Sequence, residues 1–168
     1  MKVAFHLNHL DMRGTGVAVF DYANHCETLL GQEPVIVCPT VEAQPKFQSE
    51  LAAHRFESRF DVRRYDRFDE VDPILRDLAV DVLYAIKAGH RDHVVSSVCR
   101  TVVHAVFQYD DPHGDVYAYF SQWLSNRMSQ GRQPWVPPML DLPDVSGDLR
   151  DELGIPRDAI VFGRYGGI

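Results

Sequence analysis

Cysteine is scarce in this chain. Cys26, Cys38 and Cys99 are the only three in 168 residues, an odd number at wide spacing, with no C-x-x-C pair and no histidine placed to complete a zinc site. That pattern excludes a disulfide framework and leaves reduced core thiols, as expected of a cytoplasmic protein. Positive charge is also in short supply. Seventeen Lys and Arg face 24 Asp and Glu, for a formal net charge of −7, whereas neutralising a phosphate backbone needs clustered cations. Nucleic acid is therefore not expected as a partner.

Long apolar runs are missing as well. The opening "MKVAFHLNHLDMRG" is interrupted at His6 and Asn8, too early for a secretory core, and no window approaches the ~20 apolar residues of a membrane span. Nothing supports peripheral membrane contact either. The sequence also lacks internal repeats, low-complexity tracts and a G-x-S-x-G nucleophile elbow, which removes the most legible route to nucleophilic catalysis.

What is present is an alternation of strand and helix signals. With 45% hydrophobic residues, the chain is long enough for one well-filled core. Residues 2–7 alternate around Val3, Phe5 and Leu7 and predict a first strand. A polar loop containing "RGTG" follows, and Val17, Phe20, Ala23, Cys26, Leu29 and Leu30 then recur at helical spacing over 15–30 up to Gly31, a C-terminal stop. "PVIVCP" predicts a second strand buried on both faces. A helix from about Pro45, with Phe47, Leu51 and Ala52 on one face, leads to "RFESRFDV" as an edge strand. The mixed-sign run 59–72 reads as a solvated surface.

Further on, "DPILRDLA" predicts a short helix and "VDVLYAIKAG" a fourth strand. "RDHVVSSVC" predicts a helical turn or two, "RTVVHAVF" a central fifth strand, "GDVYAYFS" a sixth, "QWLSNRMSQG" a helix, and "QPWVPP" a short extended seventh. This order predicts an α/β, doubly wound, mostly parallel, Rossmann-like sheet with right-handed crossovers. Pro134, Pro137, Pro138, Pro143 and Pro156 then cluster, which favours a connecting segment. Beyond it, "SGDLRDELGIP" carries Ser146 as an N-cap, Leu149 and Leu153 four apart and Gly154 as a stop, the pattern of a short helix. "DAIVFGRYGG" reads as a strand and glycine loop opening a new unit.

The segment "LRDELGIPRDAIVFGRYGG" resembles the entry into the C-terminal domain of retaining glycosyltransferases of the GT-B fold, in their large group 4 family. The first strand with its "RGTG" loop is similar to that family's first strand and glycine loop, and "VPPMLDLP" sits where the family has its interdomain linker. The resemblance implies an acceptor-side N-terminal domain over 1–145 and the start of a donor-binding domain over 146–168. It implies transfer of a sugar from a nucleotide-sugar co-substrate to an acceptor hydroxyl, with retention, and no separate cofactor. The carboxylate pair and donor-base contacts of the family have no counterpart in these residues, so the chain alone is expected to be inactive without a C-terminal domain.

Candidate site residues follow from loop position and from that resemblance. Gly14, Thr15 and Gly16 precede a helix, where backbone N–H groups and the positive helix end attract an anion; the resemblance assigns them to the donor diphosphate, and a tight βα turn is the alternative. Arg13 beside them is a further phosphate contact or a solvated arginine. Arg164 in the "GR" motif is implied to lie against the diphosphate, where its guanidinium fork offsets leaving-group charge. His104, in the fifth-strand run, is a candidate acid or base or sugar-hydroxyl partner, or else a core histidine. Asp110, Asp111 and His113 are candidate acceptor contacts, or an ordinary Asp-Pro turn. They lack a further ligand at motif spacing, so no metal site is expected.

The alternative reading, from a different functional class, is a free-standing Rossmann-like or flavodoxin-like module that holds a small anionic ligand at the first glycine loop without catalysis.

Overall fold

A computed structural model describes residues 1–46, 49–139 and 147–162. Six parallel strands form one sheet: β1 (Lys2–His6), β2 (Glu33–Pro39), β3 (Asp61–Tyr65), β4 (Val82–Lys87), β5 (Arg100–Ala105) and β6 (Val116–Tyr119), in the order β3-β2-β1-β4-β5-β6. The α/β doubly wound prediction therefore holds. Strand order reverses direction at β1, between its neighbours β2 and β4, and in such sheets that reversal opens a crevice at the carboxyl ends of the strands.

The inner strands are largely apolar on both faces because helices cover both. On one face Val3, Phe5, Ile36 and Ile86 meet Ala18, Val19 and Tyr22 of α1 (Gly14–Thr28), with Ala52 and Phe56 of α2 (Glu50–Glu57). On the other, Ala4, Val35, Val37 and Leu83 meet Val71 and Leu75 of α3 (Val71–Asp77). Leu124 of α4 (Gln122–Ser129) packs with Val103, Ala105, Tyr117 and Tyr119. The alternation Val3/Ala4/Phe5 thus distributes β1 between the two layers, as a two-residue period requires.

Several local expectations are corrected. Residues 55–57 of the predicted edge strand end α2, which starts at Glu50 because the Ser49 hydroxyl accepts from Ala52 N–H as an N-cap. The edge strand β3 lies further on, at Asp61–Tyr65. Phe47 lies outside the described residues, and Leu51 is exposed, not packed. Helix α1 stops at Thr28, so Leu29 and Leu30 are also exposed, while Gly31 adopts φ +60° and its N–H reaches Glu27 O, closing the helix as expected.

No helix forms over "RDHVVSSVC". Asp72 accepts from Ser96 Oγ at 2.7 Å and Ser97 N at 3.0 Å, while Ser96 Oγ accepts from Val98 N at 3.1 Å. These side chain to backbone bonds supplant helical ones. Asp72→Ala is expected to cost about 1–3 kcal/mol, with hydrogen exchange accelerated at the 96–99 amides in particular; unchanged exchange there would assign the segment's conformation to packing.

"QPWVPP" makes only one parallel bridge, Tyr119 to Trp135, since its prolines cannot donate. Residues 149–154 form turns, with bonds from Leu153 N to Leu149 O and from Gly154 N to Asp151 O, not a helix, and the Ser146 cap lies outside the described residues. Ala159–Phe162 pairs with no strand among the described residues, and Ile160 and Phe162 are 83% and 93% exposed.

Candidate functional site

A crevice of about 530 Å³ opens at the carboxyl end of the sheet, lined by Leu7, Asn8 and His9 after β1, Arg13, Gly14 and Thr15 at the start of α1, Ile86–Ala88 at the end of β4, Val106 and Phe107 after β5, and Phe120 after β6. It lies at the reversal of strand order. Its position follows from topology: loops after β1 and β4 diverge to opposite faces, and the gap between them is left unfilled.

The glycine loop has two distinct parts. A Cβ on Gly16 would stand 2.2 Å from the Asp11 carbonyl oxygen, so Gly16 is required by a close backbone approach. A Cβ on Gly14 would meet nothing within 4 Å. Gly14 and Thr15 therefore face the crevice, while Gly16 holds the turn together. The first residue of α1 has no side-chain cap from Arg13, and the helix start, with its partial positive charge, borders the open space. Asp11 is buried; its Oδ1 accepts from Arg13 N at 3.0 Å and its Oδ2 lies 3.3 Å from His9 Nε2. That carboxylate fixes the loop from behind.

His104 is fully buried beneath α1 and is not among the crevice-lining residues. Its ring lies among Tyr22, Tyr84 and Phe120, with Nδ1 2.7 Å from Tyr84 Oη. Burial lowers its pKa to about 4, partly offset by the backbone at Val136 and Tyr119, so the imidazole is neutral at pH 7. This is the geometry of a core histidine, since position 104 alternates onto the α1 face while the following Val106 and Phe107 reach the crevice.

The loop after β5 is a brace. Asp111 Oδ2 accepts from Arg91 N at 2.7 Å, and Tyr119 Oη donates to Asp110 Oδ1 at 3.3 Å. His113 is buried with Nδ1 2.6 Å from Asp111 O. Hydrogen bonding to Arg91 N holds the Asp111 pKa below the ordinary carboxylate value. These three residues sit together, beside rather than on the crevice wall, and tie residues 109–113 to the loop after β4. Arg164 lies outside the described residues. Among the described residues no group of three or more His, Cys, Asp and Glu is arranged to hold a metal ion, and no helix is long and apolar enough to cross a membrane.

Sequence reasoning missed a second polar group at the strand ends. Lys87 ends β4 with its side chain 3% exposed and donates to Asp92 Oδ1. His6 ends β1, fully buried, with Nε2 2.7 Å from Tyr65 Oη and no hydrogen-bond partner for Nδ1. Burial, then the Lys87 ammonium, pushes the His6 pKa down to about 4. The signal available in sequence was a lysine and a histidine each closing an otherwise apolar parallel-strand run, since strand carboxyl ends face ligands.

Comparison with protein-family models, curated proteins and solved structures gives no match.

Proposed function

We propose that this chain is the acceptor-side lobe of a nucleotide-sugar-dependent glycosyltransferase. In the reaction, the bond from the sugar's anomeric carbon to the donor diphosphate breaks, a bond to the acceptor oxygen forms, and the acceptor hydroxyl proton leaves. The observation that carries the reading is the crevice at the strand-order reversal, onto which the uncapped start of α1 opens at Gly14 and Thr15. Backbone N–H groups fixed there lower the energy of a diphosphate as its negative charge grows, without reorganising. The exposed apolar side chains of Ile160, Val161 and Phe162, in a run that pairs with no strand among the described residues, agree with a segment that belongs to a second lobe.

A free-standing anion-binding module is the second reading. It is favoured by one fact: the crevice is built wholly within residues 7–120. Titration of ¹⁵N-labelled protein with nucleoside diphosphates tests both. Shifts at the Gly14 and Thr15 amides, absent with sulfate, are expected for the transferase lobe; equal response to any anion favours the module. The chain, with any sequence its reading frame carries beyond Ile168, is then assayed for nucleotide-sugar turnover, and no turnover of any donor would remove the transferase reading.

A further inference from the structure

The transferase reading leaves Lys87 without a role. It belongs to the crevice wall, yet its ammonium is almost wholly shielded from water and faces Asp92, whose side chain is 24% exposed. A buried ammonium needs an anion beside it, and desolvation already lowers its pKa despite that partner. Asp92 comes from the segment 88–99, which has neither helix nor strand. The segment is anchored elsewhere, through Arg91 to Asp111 and Pro112 and through Ser96 and Ser97 to Asp72. Asp92 also accepts from Val94 N at 2.9 Å, so its carboxylate keeps a donor when it leaves the lysine.

The basic residues of the crevice wall have carboxylates behind them, Asp11 beside His9 and Arg13 and Asp92 on Lys87. None of the lining residues is itself acidic, while Arg13, His9 and Lys87 all contribute to the wall, in a chain whose formal net charge is −7.

We propose that Lys87 is the acceptor's anion anchor, occupied in the free protein by Asp92, and that a phosphate or carboxylate on the acceptor replaces the Asp92 carboxylate on the Lys87 ammonium. The acceptor class is then an anionic sugar or polyol. The term acceptor rests on the transferase reading; the anion site does not. Exchange of one carboxylate for another anion keeps the buried charge compensated throughout, and a lysine's flexible four-carbon stem tolerates either oxyanion geometry.

The test is titration of the ¹⁵N-labelled chain with glucose 6-phosphate, glucuronate and glucose, read at the Lys87, Ala88 and Gly89 amides. Both anions are expected to shift these amides and glucose to leave them in place. A response to only one anion identifies phosphate or carboxylate as the group held. Lys87→Met is expected to weaken anion binding by about tenfold or more. Asp92→Asn removes the internal competitor and is expected to strengthen it several-fold. Both substitutions break the same ion pair, so a merely structural pair would weaken binding in both. Equal weakening, or equal response to glucose, overturns the proposal. If Lys87→Met does not fold, Asp92→Asn decides alone, with unchanged or weaker affinity counting against the anchor. Nucleoside diphosphates that move Gly14 and Thr15 while sugar anions leave 87–89 unmoved sink the anchor and spare the transferase reading. The reverse pattern upholds the anchor and sinks that reading.

Discussion

Acidification from pH 7 to pH 4 is expected to destabilise this domain strongly, and two histidines that never reach water contribute to the loss. His6 and His104 are both fully buried, and burial is the chief cause that lowers each pKa from an ordinary 6.5 to about 4. Between those values the unfolded chain holds a proton on each imidazole that the native state refuses. Stability is therefore fully present above pH 6.5 and falls as the pH drops toward 4, by about 3 kcal/mol for each histidine. Together that is comparable with the lower end of the stability of a domain of this size, roughly 5–15 kcal/mol. The measurement is urea unfolding at pH 7 and pH 4.5 for the parent and for His104→Phe. The aromatic cage of Tyr22, Tyr84 and Phe120 suits a phenyl ring, and the variant should lose much less stability between the two pH values. An equal pH-dependent loss in both proteins would show that His104 is protonated in the native state.

Gly16→Ala is expected to be the most damaging methyl group that can be added near the crevice. The new Cβ would stand 2.2 Å from the Asp11 carbonyl oxygen and 3.2 Å from its carbonyl carbon, and backbone on both sides cannot rotate away as a side chain would. Asp11 is in turn fixed by Arg13 N and packed inside the loop. The cost expected of such overpacking is about 3 kcal/mol. Helix α1 would also lift from β1, disturbing the contacts of Ala18, Val19 and Tyr22 with the sheet.

Gly14→Ala supplies the contrast. Its Cβ meets nothing, and less freedom in the unfolded chain should leave stability unchanged or raise it by about 0.5 kcal/mol. Thermal unfolding of the two variants checks the difference directly. If Gly14→Ala keeps the fold and still weakens nucleoside diphosphate binding, the glycine is there for the ligand. Comparable destabilisation by both substitutions would mean that the turn, not a close approach, controls this loop.

Legibility in the sequence varied with the range of the interaction concerned. Apolar alternation in residues 2–7 and the unbroken run "PVIVCP" marked β1 and β2, because burial on one or both faces leaves its period in neighbouring residues. The 91–99 segment is not a helix because side chains satisfy its backbone donors, Ser96 Oγ that of Val98 and Asp72, some twenty-five residues away, that of Ser97. "RFESRFDV" was misread because a single cap at Ser49 carries α2 through residues whose pattern also suits a strand.

The candidate site divides along the same line. Gly14 and Thr15 were visible as a glycine loop before a helix, and the structure brings both to the crevice. His104 was visible as a residue type but not as a direction, since a strand residue's face is fixed only relative to the neighbours it pairs with, here Ile86 and Ala118. From composition and periodicity follow the α/β class and the parallel sheet, and from the glycine loop before a helix the expectation of an anion there, because these arise from local propensity, the pattern of burial and a local motif. Strand order and the burial of His6 required the assembled sheet, because each depends on which distant segments pair in register, and pairing free energy is shared among residues far apart in the chain.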